Sequence, residues 1–178
     1  MALLFGGAAL LPSCLNDKGK SVVKLKHIDL DAGQQALVAD VADVIIPKTD
    51  TPGSKELGLH LFVLKMVDDC FNKEGQETFV AGMKEFNEAA KKKHGHDFVD
   101  CSPQEKLVFV SDIDKRAHDR KPDEEKDDAK LFTFYSMLKG QTVFAYTTSK
   151  YFMTKQIVYE LVPGRYNAYF PVKEKAAV

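Results

Sequence analysis

Tryptophan is absent from this 178-residue chain, cysteine occurs three times and proline seven, and acidic and basic side chains nearly cancel to a formal charge of −1. Each shortage excludes something. Without tryptophan, the 12 Phe and 6 Tyr must supply all large aromatic surface for core or interface. Three cysteines are too few for a disulfide scaffold. A near-neutral balance with a pI of about 6.5 gives no basic field of the kind that binding to phosphate backbones requires. With 44% hydrophobic and 29% charged residues, the chain has the mix of one ordinary globular domain with a sizeable core.

Several chemical signatures are missing as well. No GxGxxG follows a strand-like run, since Gly6-Gly7-Ala8-Ala9 lies in the apolar front end, and no P-loop, nucleophile elbow or CxxCH haem attachment occurs. His94-Gly95-His96-Asp97 is the best metal-like cluster, two imidazoles and a carboxylate within four positions. It lies at a helix end beside lysines with no second ligand set, which weighs against a metal. His27, His60 and His118 are isolated in sequence. Asp68 and Asp69 are helix neighbours that point in different directions, so they make no acid/base pair and read as solvated or ion-paired groups.

Residues 1–13 carry no charged side chain, and Ala2 to Leu11 reads as the apolar core of an export signal, too short to span a bilayer. It ends at Leu11-Pro12-Ser13-Cys14, which is similar to a bacterial lipobox, making Cys14 the candidate lipidation site. The alternative is a buried N-terminal helix. Residues 14–30 then read as a polar tether and a short extended arm around Ser21 to Ile28. One acyl chain holds a membrane only marginally, so stable anchoring requires more than one.

From residue 31 onward helical spacing dominates. Asp29 to Gln34 supplies capping chemistry for a helix bearing Leu37, Val38, Val41, Val44 and Ile45, which Pro47 stops. A second helix is expected from about Lys55 to Asn72, with the stripe Leu59, Phe62, Val63, Met66, Val67 and Cys70 facing inward and Lys65, Asp68 and Asp69 facing out. Cys70 accordingly reads as a buried free thiol, with a bridge to Cys101, or from Cys101 to a partner, as the alternatives. The third helix is expected from Gly75 to Lys93 with Gly95 as its stop, and the fourth starts at the Ser102-Pro103-Gln104-Glu105 cap and runs to about Ile113. The charge-rich run from Asp112 to Lys130 reads as a solvated loop or helix ends. A fifth helix carries Leu131, Phe134, Tyr135, Leu138, Thr142 and Ala145 on one face, widened by Phe132, Phe144 and Tyr146. The aromatic tail beyond Ser149 reads as a segment that wraps over the helices or lies on another protein. The expected architecture is mainly α: a single helical domain of about five helices over residues 31–178, with an extended N-terminal arm and an irregular wrapping C-terminal tail.

The stretch Ala42 to Ser54 stands out, because Pro47 and Pro52 push Ile46 and Thr51 toward extended backbone while Gly53 tolerates positive φ, giving a stiff, shaped connector. That stretch, followed by Glu56-Leu57-Gly58, resembles the N-terminal signature of the gluconate 2-dehydrogenase subunit 3 family. Tyr146-Thr147-Thr148-Ser149-Lys150 and Val158 to Tyr166 resemble the family's closing pattern. The resemblance covers about Asp31 to Val172. It implies a non-catalytic small subunit with no cofactor of its own and no metal, paired with a large subunit that binds FAD and oxidises a sugar or polyol. It further implies a possible third subunit carrying haem c, a twin-arginine leader upstream of Met1, and a place on the periplasmic side of a bacterial membrane. The lipobox departs from the family pattern and implies that this version anchors the complex itself. Candidate partner contacts are Thr49, Asp50, Thr51, Pro52 and Gly53 in the loop, and Tyr151, Phe152, Tyr159, Pro163, Gly164, Tyr166, Tyr169 and Phe170 in the tail. Two other classes compete: a stand-alone periplasmic lipoprotein binding a small carbohydrate on exposed tyrosines, and a metalloenzyme using His94, His96 and Asp97.

Overall fold

The structure, a computed structural model, describes residues 23–119, 128–157, 164, 168 and 169. Cys14 and the apolar front end lie outside them. Among the described residues there is no strand, and five long helices with one single-turn helix build the domain: α1 (Ala32–Ile45), α2 (Ser54–Leu57), α3 (Leu59–Cys70), α4 (Lys73–His94), α5 (Pro103–Asp119) and α6 (Ala129–Thr147). No described helix is long and apolar enough to cross a membrane.

Local chemistry sets the boundaries. Asp31 caps α1 in a reciprocal box, its carboxylate accepting from the Gln34 N–H at 2.8 Å while the Gln34 side chain accepts from the Asp31 N–H at 3.0 Å. Asn72 caps α4 through the Gly75 N–H at 2.8 Å, and Gly95, at φ +86°, ends it. Ser102 and Glu105 close the expected box at the start of α5. The helix expected from Lys55 to Asn72 is in fact two, because Gly58 adopts left-handed geometry at φ +64° and turns the chain between α2 and α3. The fourth helix runs past Ile113 to Asp119, so residues 112–119 of the charge-rich run are a helix end, one of the two forms expected for it. Arg116 on α5 pairs with Asp128, just before α6.

Helix α6 occupies the centre, packing on α1, α2, α3, α4 and α5. Its closest partner is α4, and the reason is Gly82: a Cβ there would stand 2.1 Å from the Lys130 carbonyl oxygen and 2.6 Å from the Phe134 Cβ. With no side chain at that point the two backbones meet. Around the contact, Phe86 touches Phe98, Phe109 and Phe134 at ring-centroid separations of 5.1, 5.1 and 5.6 Å, each edge to face, and Phe79 adds a fourth such contact on Phe134 at 4.9 Å. Phenylalanine thus fills the aromatic role left open by the missing tryptophan.

The N-terminal arm is pinned by two buried polar side chains. Asp68 is fully buried, not exposed as helical spacing suggested. Its carboxylate accepts the backbone N–H groups of Lys26, His27 and Ile28 at 2.8, 2.7 and 3.1 Å. The arm covers the α3 face that would otherwise meet water, which is why a helix-face argument misplaced this residue. Gln35 holds the arm at Val23 and Leu30, and Gln76 ties the end of α3 through the carbonyls of Val67, Asp68 and Phe71. Ile28 and Leu30 are thereby seated in the core. Cys70 is exposed while Cys101 is buried, the reverse of the expected burial of Cys70, and both are free thiols. The inward face of α3 is formed by Leu59, Val63, Leu64, Val67 and Asp68, which leaves Cys70 outside it.

Desolvation pushes the Asp68 carboxyl up, but three backbone donors and the nearby His27 together outweigh it and hold the group below the usual carboxylate range. A depressed folded-state pKa stabilises the fold above the unfolded value, about 3.9, and the contribution is lost as pH falls below it. Asp68→Asn is therefore expected to cost about 2 kcal/mol at neutral pH, with the gap from the parent closing below about pH 4; urea unfolding across that range measures it. At the α4–α6 contact, Gly82→Ala should destabilise by about 3 kcal/mol through overpacking. Gly140→Ala, where a Cβ meets nothing within 4 Å, should stabilise by about 0.5 kcal/mol. Equal midpoints for these two alanine variants would contradict the packing argument.

Candidate docking surface

The connector between α1 and α2 is built by its own hydrogen bonds. The Ser54 N–H donates to the Ile46 carbonyl at 2.8 Å, closing the loop at its neck, and the Thr49 N–H donates to the Thr51 carbonyl at 3.0 Å across its tip. The Thr49 hydroxyl donates to the Asp50 carboxylate at 3.0 Å. Lys48 pairs with Glu56, and that hydrogen bond, with the Gly53 N–H, holds the Glu56 carboxyl below its ordinary range. Lys55 then bonds Asp40 of α1 at 2.6 Å, and Lys106 of α5 reaches the same Asp40 at 2.7 Å. The α2 end of the loop is thus tied to α1, and α1 is tied in turn to α5.

Gly53 sits at φ −81°, so positive φ is not what requires it. Close approach is: a Cβ would stand 2.6 Å from the Lys48 nitrogen. Gly53 is buried and shapes the loop, Thr51 and Pro52 are half-buried, and Thr49 and Asp50 are the loop candidates that face water.

At the other end, α6 leads through Thr148 into a π-helical turn, Phe152–Gln156. Phe152 packs edge to face on Tyr146 at 5.4 Å, and the Tyr151 hydroxyl accepts from the Gln156 amide at 2.8 Å. Both residues are half-buried and both have intramolecular partners. Gly164 is exposed, and Tyr169 is 92% exposed. Tyr159, Pro163, Tyr166 and Phe170 lie outside the described residues.

Spacing placed Phe62 on the inward stripe of its helix and Phe144 on the widened apolar face of α6, but the fold brings both rings to the surface. Phe62 of α3 and Phe144 of α6 touch at 6.0 Å with both rings open to solvent, and Val143 is exposed beside Phe144 in sequence. The available signal was that α6 is apolar around most of its circumference. Such a helix is buried where neighbours surround it, and its end projects apolar side chains where they do not.

The remaining candidates separate. The Asp97 carboxylate accepts from Asn87 at 2.8 Å and pairs with Lys91, so it turns away from His94 and His96. In its place the fold brings Cys101 and Glu105 toward the histidines. Burial pushes the Cys101 thiol up, and the neighbouring Glu105 adds to the shift. His60 is held below its ordinary pKa, first by burial and then by Lys55. A groove of about 510 Å³ between the start of α1 and α4 is lined by Asp31, Gln34, Met83, Lys84 and Asn87 among others, with no aromatic ring for a sugar to stack on.

A helical body opened by a proline-bracketed clamp and ending in an exposed aromatic face is the setting for one comparison. The model of the family described as gluconate 2-dehydrogenase subunit 3 matches residues 32–164. The chain belongs to that family. The match starts at the first residue of α1 and takes in every described helix, ending earlier than the Val172 expected from the tail pattern. No curated protein and no solved structure matches the chain. Membership makes this subunit 3 chain a small accessory subunit of a dehydrogenase complex in kind.

Proposed function

We propose that this chain is the non-catalytic small subunit of an FAD-dependent sugar or polyol dehydrogenase, assembling with the flavoprotein, stabilising it and accompanying it through export. The observation that carries the reading is the family match across the whole helical body. Hydride abstraction would take place on the FAD of the large subunit, with electrons passing to a cytochrome c. Acylation of Cys14 would hold the assembly on the periplasmic side of the membrane.

The physical support is the division of labour in the fold. The α1–α2 loop is rigid before any partner arrives, because both its neck and its tip are hydrogen-bonded and its base is salt-bridged to α1. A preformed platform loses little conformational entropy on binding. Phe62, Val143 and Phe144 supply apolar surface of the kind enriched at interface centres. Residues 158–178 carry the further aromatic contacts proposed for the tail.

Co-purification of the tagged full-length chain with a yellow, sugar-oxidising flavoprotein from native membranes is the expected result in mild detergent. Phe144→Asp should reduce flavin recovery at least about tenfold, the loss of 1.4 kcal/mol or more expected at an interface centre, while leaving helical circular dichroism unchanged. Removal of residues 158–178 should have the same effect. Full flavin recovery with both variants would overturn the assignment of these surfaces, and a colourless lone protein from the parent would overturn the accessory reading.

A further inference from the structure

The connection between α4 and α5 gathers four chemistry-bearing side chains that the docking surface does not use. Helix α4 ends at His94, and Gly95 turns the chain. A 3₁₀ turn, Phe98–Asp100, follows, held by the buried Phe98 ring and by Asn87, whose side-chain oxygen accepts from the Phe98 N–H at 2.9 Å. Cys101 comes next with its N–H on the Phe98 carbonyl, and the Ser102 box starts α5. The connection is thus held at Gly95, Phe98, Asp100, Cys101 and Ser102.

The result is a convergence. The His96 Nδ1 lies 3.6 Å from the Cys101 Sγ, and the ligand atoms of His96, Cys101 and Glu105 all fall within 4.8 Å of one another. Glu105 is oriented through one oxygen only, because Oε2 accepts from the Ser102 N–H and hydroxyl at 2.8 and 2.7 Å. Its Oε1 faces the His94 Nδ1 at 3.6 Å. The His94 ring stacks on His96 at 6.4 Å. The nearby cations are engaged elsewhere: Lys106 with Asp40 and the Val99 carbonyl, Lys91 with Asp97, Lys93 with Asp112.

We propose that His96, Cys101 and Glu105 form a three-ligand zinc site clipping the end of α4 to the start of α5, with His94 as the outer partner that orients Glu105. Tetrahedral bonds of about 2.0–2.1 Å to nitrogen and 2.3 Å to sulfur put those two atoms about 3.6 Å apart, the separation already present. One thiolate, one imidazole and one carboxylate make a borderline donor set, too soft for magnesium or calcium and too hard for copper(I). Cys101 is buried while the Glu105 side chain is 37% exposed, so the ion would be reached from the Glu105 side, where water completes the coordination. As the S–Zn bond forms, the thiol S–H bond breaks and its proton leaves to solvent. The inference is independent of the accessory-subunit reading.

The test is titration of the full-length, reduced and chelator-treated chain with zinc by calorimetry in two buffers, and with cobalt(II) by absorption. One equivalent of zinc, release of about one proton from a thiol that is protonated at neutral pH, and a thiolate-to-cobalt charge-transfer band are expected. Cys101→Ser and His96→Gln should each weaken zinc by about 100-fold or more, and His94→Gln by the 10- to 100-fold typical of an outer partner. Cys70→Ser should change nothing. His96 is half-buried, so its variant reports even where Cys101→Ser loses helical circular dichroism. Absence of stoichiometric zinc, a cobalt spectrum without the thiolate band, or parent-like affinity in His96→Gln would each overturn the proposal.

Discussion

The contact that the rest of this domain depends on is the approach of α4 to α6 at Gly82. Because no Cβ stands between the Gly82 backbone and the Lys130 carbonyl, the two longest helices lie close enough for Phe79, Phe86 and Phe134 to interlock across them. That aromatic cluster extends to Phe98 and Phe109 and so fixes the 3₁₀ turn and α5 as well. One missing side chain therefore positions two further elements, and interiors packed this densely do not yield continuously.

A second constraint is polar. Asp68, Gln35 and Gln76 are buried side chains whose hydrogen bonds go to backbone groups of the arm and of the α3–α4 junction. Segments without strand or helix partners must satisfy their N–H and C=O groups somehow, and here three side chains act in place of a sheet. The arm can then contribute Ile28 and Leu30 to the core without being a regular element.

The core holds the proposed contact surfaces in place. The α1–α2 loop is closed by its own bonds and tied at its base to α1, whereas the aromatic face forms where Phe62 of α3 and Phe144 of α6 meet in the open. The α4–α5 connection is a third rigid feature, in which a capping box serves both to start a helix and to orient a carboxylate. All three lie within residues 32–164, the span of the family match.

Much was legible in the residues themselves. Helical spacing, the Asp31 and Ser102 caps, the Gly95 stop and the proline-bracketed loop act within a few positions along the chain, so the mainly α class and most helix boundaries follow from local chemistry. The subunit 3 signature was legible for the same reason. What local pattern could not carry was decided by packing: Asp68 is buried because the arm, 40 or so residues earlier, folds over it, Cys70 is exposed because the inward face of α3 is centred elsewhere, and Gly53 is required by the Lys48 backbone rather than by its own φ. Likewise His96 meets Cys101, Glu105 and the backbone carbonyl of Asp97, not its carboxylate, because Asn87 draws that carboxylate aside. Spacing along one helix specifies which side chains share a face. Only packing between elements specifies which of those faces meets water.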